Sequence, residues 1–248
     1  MDKKAPTILL IETSTEVCSV ALCSGNSLID QKISRVPRAH AGIISIITQE
    51  LLDNNHTSLE MCDAIAVSEG PGSYTGLRVG VSFSKGLCFG ASKPLIAVGS
   101  LDLLASIASS IIIDNKIEAS IIVPKNKISA AIVVPMIDAR RMEVYTACYS
   151  TKGERLTPVE ALVIDPESFS KQLEEGVVYF CGDGSAKVSD VIKHPNAVFL
   201  TVEALAQGMV TNAVQKYENG TFEDVAYFEP FYLKDFIAGI SKKNPLKF

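Results

Sequence analysis

Two short polar segments follow predicted buried strands, and each begins with a carboxylate. The segment at 12–15 is ETST and the segment at 138–141 is DARR. A carboxylate in each is what a magnesium-nucleotide site needs, and hydroxyls in the first could contact phosphate. The second has no glycine that would let the backbone approach phosphate closely. We therefore expect weak nucleotide binding or none, and turn formation is the alternative role of both carboxylates. The candidate residues are Glu12, Thr13, Ser14 and Asp138.

A glycine-rich segment at 70–78 (GPGSYTGLR) joins a predicted strand to a predicted helix. Its sixth position is Thr75 and not the glycine of a dinucleotide fingerprint, and it lacks the lysine of a phosphate-binding loop. The glycines instead permit a tight strand-to-helix turn.

In the helix at 76–90, small residues recur at four-residue steps, so another helix can approach closely. We favour a helix of a second chain over one of this chain. These steps are formed by Gly76 and Gly80, and by Ser82, Gly86 and Gly90.

Metal and covalent chemistry have no support in the sequence. The three histidines, His40, His56 and His194, lack the HxxxH or HExxH spacing that places two imidazoles on one helix face. There is no GxSxG nucleophile segment and no cysteine with an evident partner base. We therefore expect no metal site and no catalytic nucleophile.

Composition indicates a folded protein with an acidic balance. Lys and Arg number 23 against 28 Asp and Glu, which gives a net charge of −5 and a pI near 5.3. Such a chain has no broad positive field for nucleic acid, so we expect any RNA contact to come mainly through a partner. The first apolar run ends at Glu12, too early for a signal peptide or a membrane span. Together with six scattered cysteines, expected to be buried reduced thiols, this predicts a cytoplasmic protein without a membrane segment.

The predicted elements follow one order twice: three strands, helix, strand, helix, strand, helix. That order predicts an α/β fold of two tandem ribonuclease-H-like lobes, an actin-like architecture with mixed five-stranded sheets. We place the lobes at 1–107 and 108–248, and we expect the aromatic segment 222–236 to pack across them. The predicted strands are 7–13, 17–23, 27–33, 64–68, 95–98, 132–137, 143–149, 159–164, 177–181 and 197–200. The predicted helices are 40–52, 76–90, one from 101, 168–174, 186–192 and 202–216.

The helix at 40–52 has an apolar stripe wider than one core-facing side requires. Together with the small-residue steps of the helix at 76–90, this stripe predicts that both helices contact another chain. The predicted contact residues are His40, Ile43, Ile47, Leu51, Gly76, Arg78, Gly80 and Leu87.

Several segments together resemble the TsaB (YeaZ) family. They are ILLIETSTEVCSVAL at 8–22, SEGPGSYTGLRVG at 68–80 and IDARRMEVY at 137–145, with His40 opening a helix. Shorter similarities lie at Pro158-Val159-Glu160 and at 230–234 (PFYLK). The resemblance covers nearly the whole chain, and its most specific part is GPGSYTGLR.

The resemblance implies a non-catalytic subunit that pairs through its first-lobe helices with TsaD, the enzyme that threonylcarbamoylates adenosine 37 of tRNA. It also implies a TsaE-like ATPase in the complex, self-association of the isolated chain, and only indirect tRNA contact. We expect no tightly bound cofactor, and weak binding of ATP or ADP at a subunit junction stays open. The alternative function is an actin-like ATPase or phosphotransferase that uses Glu12 and Asp138.

Overall fold

The computed structural model describes residues 4–114 and 131–234, and the predicted order of elements occurs in it twice. The first lobe contains β1 (Thr7–Glu12), β2 (Cys18–Ser24), β3 (Ser27–Ser34), α1 (His40–Asn54), β4 (Ala64–Gly70), α2 (Tyr74–Ala91), β5 (Leu95–Gly99) and α3 (Ser100–Ile113). The second contains β6 (Ile132–Asp138), β7 (Glu143–Thr146), β8 (Tyr149–Ser150), β9 (Glu160–Val163), α4 (Ser170–Glu175), β10 (Val178–Cys181), α5 (Ser185–Val188), β11 (Ala197–Leu200) and α6 (Val210–Glu218).

Each lobe has a mixed sheet with the lobe's first strand at its centre. The strand order is β3-β2-β1-β4-β5 in the first sheet and β9-β7-β6-β10-β11 in the second. Three strands pair antiparallel in each sheet, namely β1, β2 and β3 in the first and β6, β7 and β9 in the second. The strands β4 and β5, and likewise β10 and β11, continue each sheet in parallel. The short β8 also pairs with β6, so the second sheet has six strands where five were predicted. The predicted fold of two tandem ribonuclease-H-like lobes is thereby confirmed.

Helices and sheets alternate in five layers. Helices α1 and α2 cover the outer face of the first sheet, α3 and α6 lie between the sheets, and α4 and α5 cover the outer face of the second. In β1, Leu9 and Ile11 belong to the outer apolar cluster, whereas Ile8 and Leu10 belong to the inner one. Because both faces of this strand are buried, its sequence is apolar at successive positions.

Several predicted boundaries differ from the structure. A lobe boundary at 107/108 would divide α3, whose buried face continues to Ile112 between the two sheets. The predicted strand at 143–149 is two strands, because β7 pairs with β6 and β9 whereas β8 pairs with β6 only. The predicted helix at 202–216 begins at Ala206 with a 3-10 turn and continues as α6.

The six cysteines are buried with free thiols, as predicted. Burial raises the pKa of each thiol, to about 12 for Cys18 and Cys88. Within residues 4–114 and 131–234, no helix is long and apolar enough to cross a bilayer.

Candidate functional site

A cleft of about 1180 Å³ lies between the two lobes. The loop after β1 and the start of α2 form its first-lobe side, and the β6–β7 turn and α5 form much of its second-lobe side. Two of the four candidate nucleotide-site residues, Ser14 and Asp138, line this cleft. The lining segments are 14–17, 72–75, 137–140, 199–204 and 231–234, with parts of 182–189.

Glu12 and Thr13 are fully buried and do not line the cleft. One carboxylate oxygen of Glu12 accepts a hydrogen bond from the Ser14 backbone N–H, and the other has no partner of good geometry among the described residues. Burial raises the pKa of Glu12, and nearby Asp183 raises it further, although hydrogen bonding from Ser14 and Ser68 acts in the opposite direction. Burial of this carboxyl group therefore disfavours its charged form.

The glycines at the start of α2 fit against the loop after β1. A Cβ on Gly72 would lie 2.4 Å from the carbonyl oxygen of Ser14, and one on Gly76 would lie 2.1 Å from that of Thr13. A Cβ on Gly80 would lie 2.1 Å from the Thr13 hydroxyl oxygen. The Ser73 side chain caps the helix by accepting from the backbone N–H of Gly76, at 3.3 Å. These glycines thus serve packing within this chain, which corrects the prediction that Gly76 and Gly80 contact a second one.

The equivalent turn of the second lobe is held by a lysine. The Lys187 ammonium donates to Asp138 Oδ1 at 3.0 Å, to the Arg141 carbonyl at 2.8 Å and to the Glu143 carbonyl at 2.7 Å. These three bonds use all three of its donors. Asp138 also accepts from the Arg140 backbone N–H at 2.6 Å. The carboxylate expected to hold magnesium therefore already has a lysine partner.

A further carboxylate in the cleft, that of Asp183, was not predicted from the sequence. It accepts a hydrogen bond from the Asp138 backbone N–H at 3.1 Å. Burial raises its pKa, and the Asp138 carboxylate adds to the rise. The signal that could have identified it is its place in Gly182-Asp183-Gly184, directly after β10, where both glycines sit close to the Met136 carbonyl group.

The aromatic segment after α6 contacts both lobes. Lys85 of α2 donates to the carbonyl oxygens of Ala226 and Phe228, at 3.1 and 2.9 Å. Farther along, the Tyr232 ring lies 4.8 Å from the Tyr74 ring, and Lys234 pairs with Glu143 of β7. The segment thereby forms one edge of the cleft. Its predicted last two residues, 235 and 236, lie outside the described residues.

The eight predicted contact residues separate into two groups. Four are buried in their own lobe: Ile47 and Leu51 lie in the core beneath α1, and Gly76 and Gly80 lie against Thr13. The apolar stripe of α1 faces its own sheet, and Gly76 and Gly80 are covered by the loop after β1. These four residues therefore cannot touch a partner directly, which corrects the prediction. The other four are half-buried or exposed: His40, Ile43, Arg78 and Leu87.

Within this second group, each residue has a contact in its own chain. Ile43 and Leu87 pack against the first-lobe core. His40 donates to the Thr15 carbonyl at 3.0 Å, which ties the start of α1 to the cleft loop. Arg78 donates to the Tyr74 hydroxyl at 3.1 Å and lies over the same ring.

Comparisons with known proteins agree on one family. A model of the family described as TsaD, tRNA N6-adenosine threonylcarbamoyltransferase, matches residues 34–241. The tRNA threonylcarbamoyladenosine biosynthesis protein TsaB of Escherichia coli is 32% identical over 247 residues, covering 97% of this chain and 99% of that protein. The protein of the same name from Haemophilus influenzae is 32% identical over 248 residues, covering 92% of this chain and 94% of that protein. The chain belongs to the TsaB family.

A solved structure agrees with this assignment. It is the crystal structure of an uncharacterized protein with similarity to peptidase YeaZ from Pseudomonas aeruginosa, with a TM-score of 0.76 and 28% identity. The superposition covers 92% of this chain and all of that one. The predicted TsaB resemblance is therefore confirmed over nearly the full length.

For this TsaB-family chain, sequence reasoning named Gly86 and Gly90 among the small residues expected to face a second chain, but it did not single out Gly42, Ile46 and Phe89. Phe89 is 84% exposed and Ile46 is 50% exposed. A Cβ added at Gly42, Gly86 or Gly90 would meet nothing within 4 Å. We call these five residues the outer helix face. The predicted steps at 82, 86 and 90 place their small residues on the side of α2 opposite the buried Leu77 and Val81.

Residues 4–114 and 131–234 contain no cluster of three or more His, Cys, Asp or Glu that could hold a metal ion. The histidines have local roles instead. His194 accepts from the Asn196 backbone N–H at 3.1 Å, and His56 follows the end of α1 with a left-handed φ of 49°.

Proposed function

We propose that this chain acts in tRNA threonylcarbamoyladenosine biosynthesis as a non-catalytic subunit that binds a TsaD-like catalytic chain. Two full-length relatives carry the name of that pathway, and a TsaD family model matches residues 34–241. A TsaD-like chain would share the first-lobe fold of this one, so paired helices from the two chains could meet face to face.

The outer helix face carries this proposal. Phe89, the most exposed large apolar residue described, stands between two glycines that have open space above them. A projecting aromatic ring beside shallow notches is the shape that interdigitates with another helix, and aromatic anchors supply much of the energy of such contacts. We assign partner binding to this face, with Arg78 and Leu87 at its border. His40 and Ile43 would act from beneath, by fixing the position of α1.

The same face would support self-association when no partner is present, and a TsaE-like ATPase would join the assembled pair. A role without catalysis is supported by the surroundings of the candidate carboxylates, because Glu12 is fully buried outside the cleft lining and Lys187 engages Asp138. Nucleotide would then bind weakly, at most at a subunit junction. Tight binding of magnesium-ATP to the isolated chain, abolished by Glu12→Ala, would support the ATPase alternative instead.

The test is Phe89→Asp in the full chain, mixed with the TsaD-like protein of the same cell. We expect the affinity to fall roughly 30-fold or more, because a buried aromatic anchor is lost and a charge must be desolvated. Gly86→Leu should also weaken binding, because it fills a notch without touching the chain's own core. Both variants should reduce self-association as measured by sedimentation.

The matched control is Leu156→Asp, which introduces the same charge at a second-lobe apolar residue that is 55% exposed. It should leave partner affinity and modification activity unchanged. Normal partner binding by both Phe89→Asp and Gly86→Leu would show that the contact lies elsewhere.

A further inference from the structure

The turn between β6 and β7 displays two arginines in an unusual backbone conformation. Arg140 and Arg141 have φ of 68° and 46°, in the left-handed region that favours glycine and asparagine. Both residues are exposed. Neither guanidinium group forms a hydrogen bond, ion pair or ring contact with any described residue. Two consecutive large side chains in this conformation are disfavoured, so their presence calls for a role that glycine could not fill.

The backbone of this turn is fixed although its side chains are free. Lys187 holds the Arg141 and Glu143 carbonyls, and Asp138 holds the Arg140 backbone N–H. Lys234, from the segment that crosses the lobes, pairs with the Glu143 carboxylate. The two guanidinium groups are therefore presented from a braced turn, which lowers the entropy lost when they bind.

The chemistry of the surroundings indicates what they bind. Free guanidinium groups recognise phosphate or carboxylate through paired N–H donors. Arg140 lies at the lining of the cleft, whose interior contains the carboxyl groups of Asp138 and Asp183. These two carboxyl groups repel a phosphate placed inside the cleft. An anion bound by the arginines would therefore lie at the rim of the cleft, on its solvent side. A polyanion that passes across the rim satisfies this condition better than a small nucleotide.

We propose that Arg140 and Arg141 contact the phosphate backbone of tRNA bound to the complex of this chain with its TsaD-like partner. This inference rests on the proposed function, which brings the chain to a tRNA substrate. It differs from the expectation that tRNA contact is only indirect. That expectation followed from the net charge of −5, which conceals a local pair of unneutralised arginines.

The test uses the double variant Arg140→Asn with Arg141→Gly in the assembled complex. Asparagine and glycine accept left-handed backbone more readily than arginine, so the turn should be kept while both charges are removed. We expect tRNA affinity to fall roughly tenfold at low salt. The slope of log affinity against log salt should become shallower by about 1.5, as expected for two lost phosphate contacts. A second variant, Arg140→Gln with Arg141→Gln, retains the side-chain length and should behave the same way.

The matched control is Lys152→Ala with Lys171→Ala, which removes two exposed positive charges of the second lobe that do not line the cleft. It should leave tRNA affinity and its salt slope nearly unchanged. Unaltered tRNA binding by both arginine variants would overturn the proposal, as would an equal loss in the control.

Two further arms distinguish the other sources of negative charge. If the arginine variants lose affinity for the TsaD-like partner, the turn contacts an acidic protein surface and the proposal is wrong. If both arginine variants lose binding of millimolar ATP but keep their affinity for tRNA, the turn binds free nucleotide and the proposal is wrong. Failure of the wild-type chain to form the complex at all would instead count against the proposed function.

Discussion

The loop after β1 and the turn after β6 occupy the same place in the two lobes, but they are built in opposite ways. The first is buried, and the glycines of α2 pack directly against its backbone. The second is exposed, carries two free arginines and is held by the ammonium group of Lys187. The repeated fold therefore does not imply a repeated site, because each loop has acquired a separate physical role.

This difference bears on the cleft between the loops. A nucleotide site in such a cleft needs backbone from both sides to approach the phosphates closely. Here the first loop is committed to packing, and the second presents long side chains where bare backbone would be required. The two proposed binding surfaces are instead exposed, namely the outer helix face of the first lobe and the arginine turn of the second.

The largest effect should come from the packing of the first loop, probed by Gly76→Ala. The new Cβ would lie 2.1 Å from the Thr13 carbonyl oxygen, so α2 or the loop must shift. We expect the free energy of unfolding to fall by about 3 kcal/mol. Gly86→Ala makes the same change on the same helix, but the new Cβ meets open space. This variant should raise the free energy of unfolding by about 0.5–1 kcal/mol. Urea unfolding of both variants measures the difference. Equal effects would show that α2 does not depend on this contact.

Removal of the lysine that braces the second turn should have an intermediate effect. Lys187→Met retains most of the apolar stem but removes three donated hydrogen bonds, two of them to backbone carbonyls. We expect a loss of about 2 kcal/mol, since bonds from a charged donor contribute more than neutral ones and this side chain is partly exposed. Hydrogen exchange at residues 139–143 should accelerate more than exchange in β1. If exchange in the turn stays unchanged, it does not depend on Lys187.

Most of the fold could be predicted because its signals are local. Apolar runs bounded by turns predicted the succession of strands and helices along the chain in both lobes. The segment GPGSYTGLR located the start of α2. The faces of α2 were harder to assign, because Gly76 and Gly86 belong to similar four-residue series. Only the folded position of Thr13 shows that the series containing Gly76 packs against the loop after β1, whereas the series containing Gly86 faces open space. The same reason explains Ile47, which faces its own sheet while its neighbour Ile46 faces outward.

The candidate site was predicted less completely than the fold. The two loops at the cleft were identified, but the Lys187 bonds and the position of Asp183 depend on segments about 45 residues farther along the chain. Sequence spacing contains no information on such contacts until the second sheet is assembled. Phe89 was overlooked because a single exposed aromatic residue in an apolar helix looks like one more core residue.

The smallest expected effect concerns the buried carboxyl group of Glu12 and depends on pH. Because its pKa in the folded protein lies above the usual 4.5, folding favours its protonated form. The stability from that form is complete at acidic pH and is lost as pH rises through the folded-state pKa. Glu12→Gln imitates the neutral acid, so it should be more stable than the wild type at pH 8, by about 1 kcal/mol, and the advantage should vanish toward pH 4. Urea unfolding at pH values from 4 to 8 tests this. Destabilisation that grows toward pH 8 would mean that the first loop needs an ionised carboxylate, as a cation site would. The contrast between the two loops would then be smaller than their packing indicates.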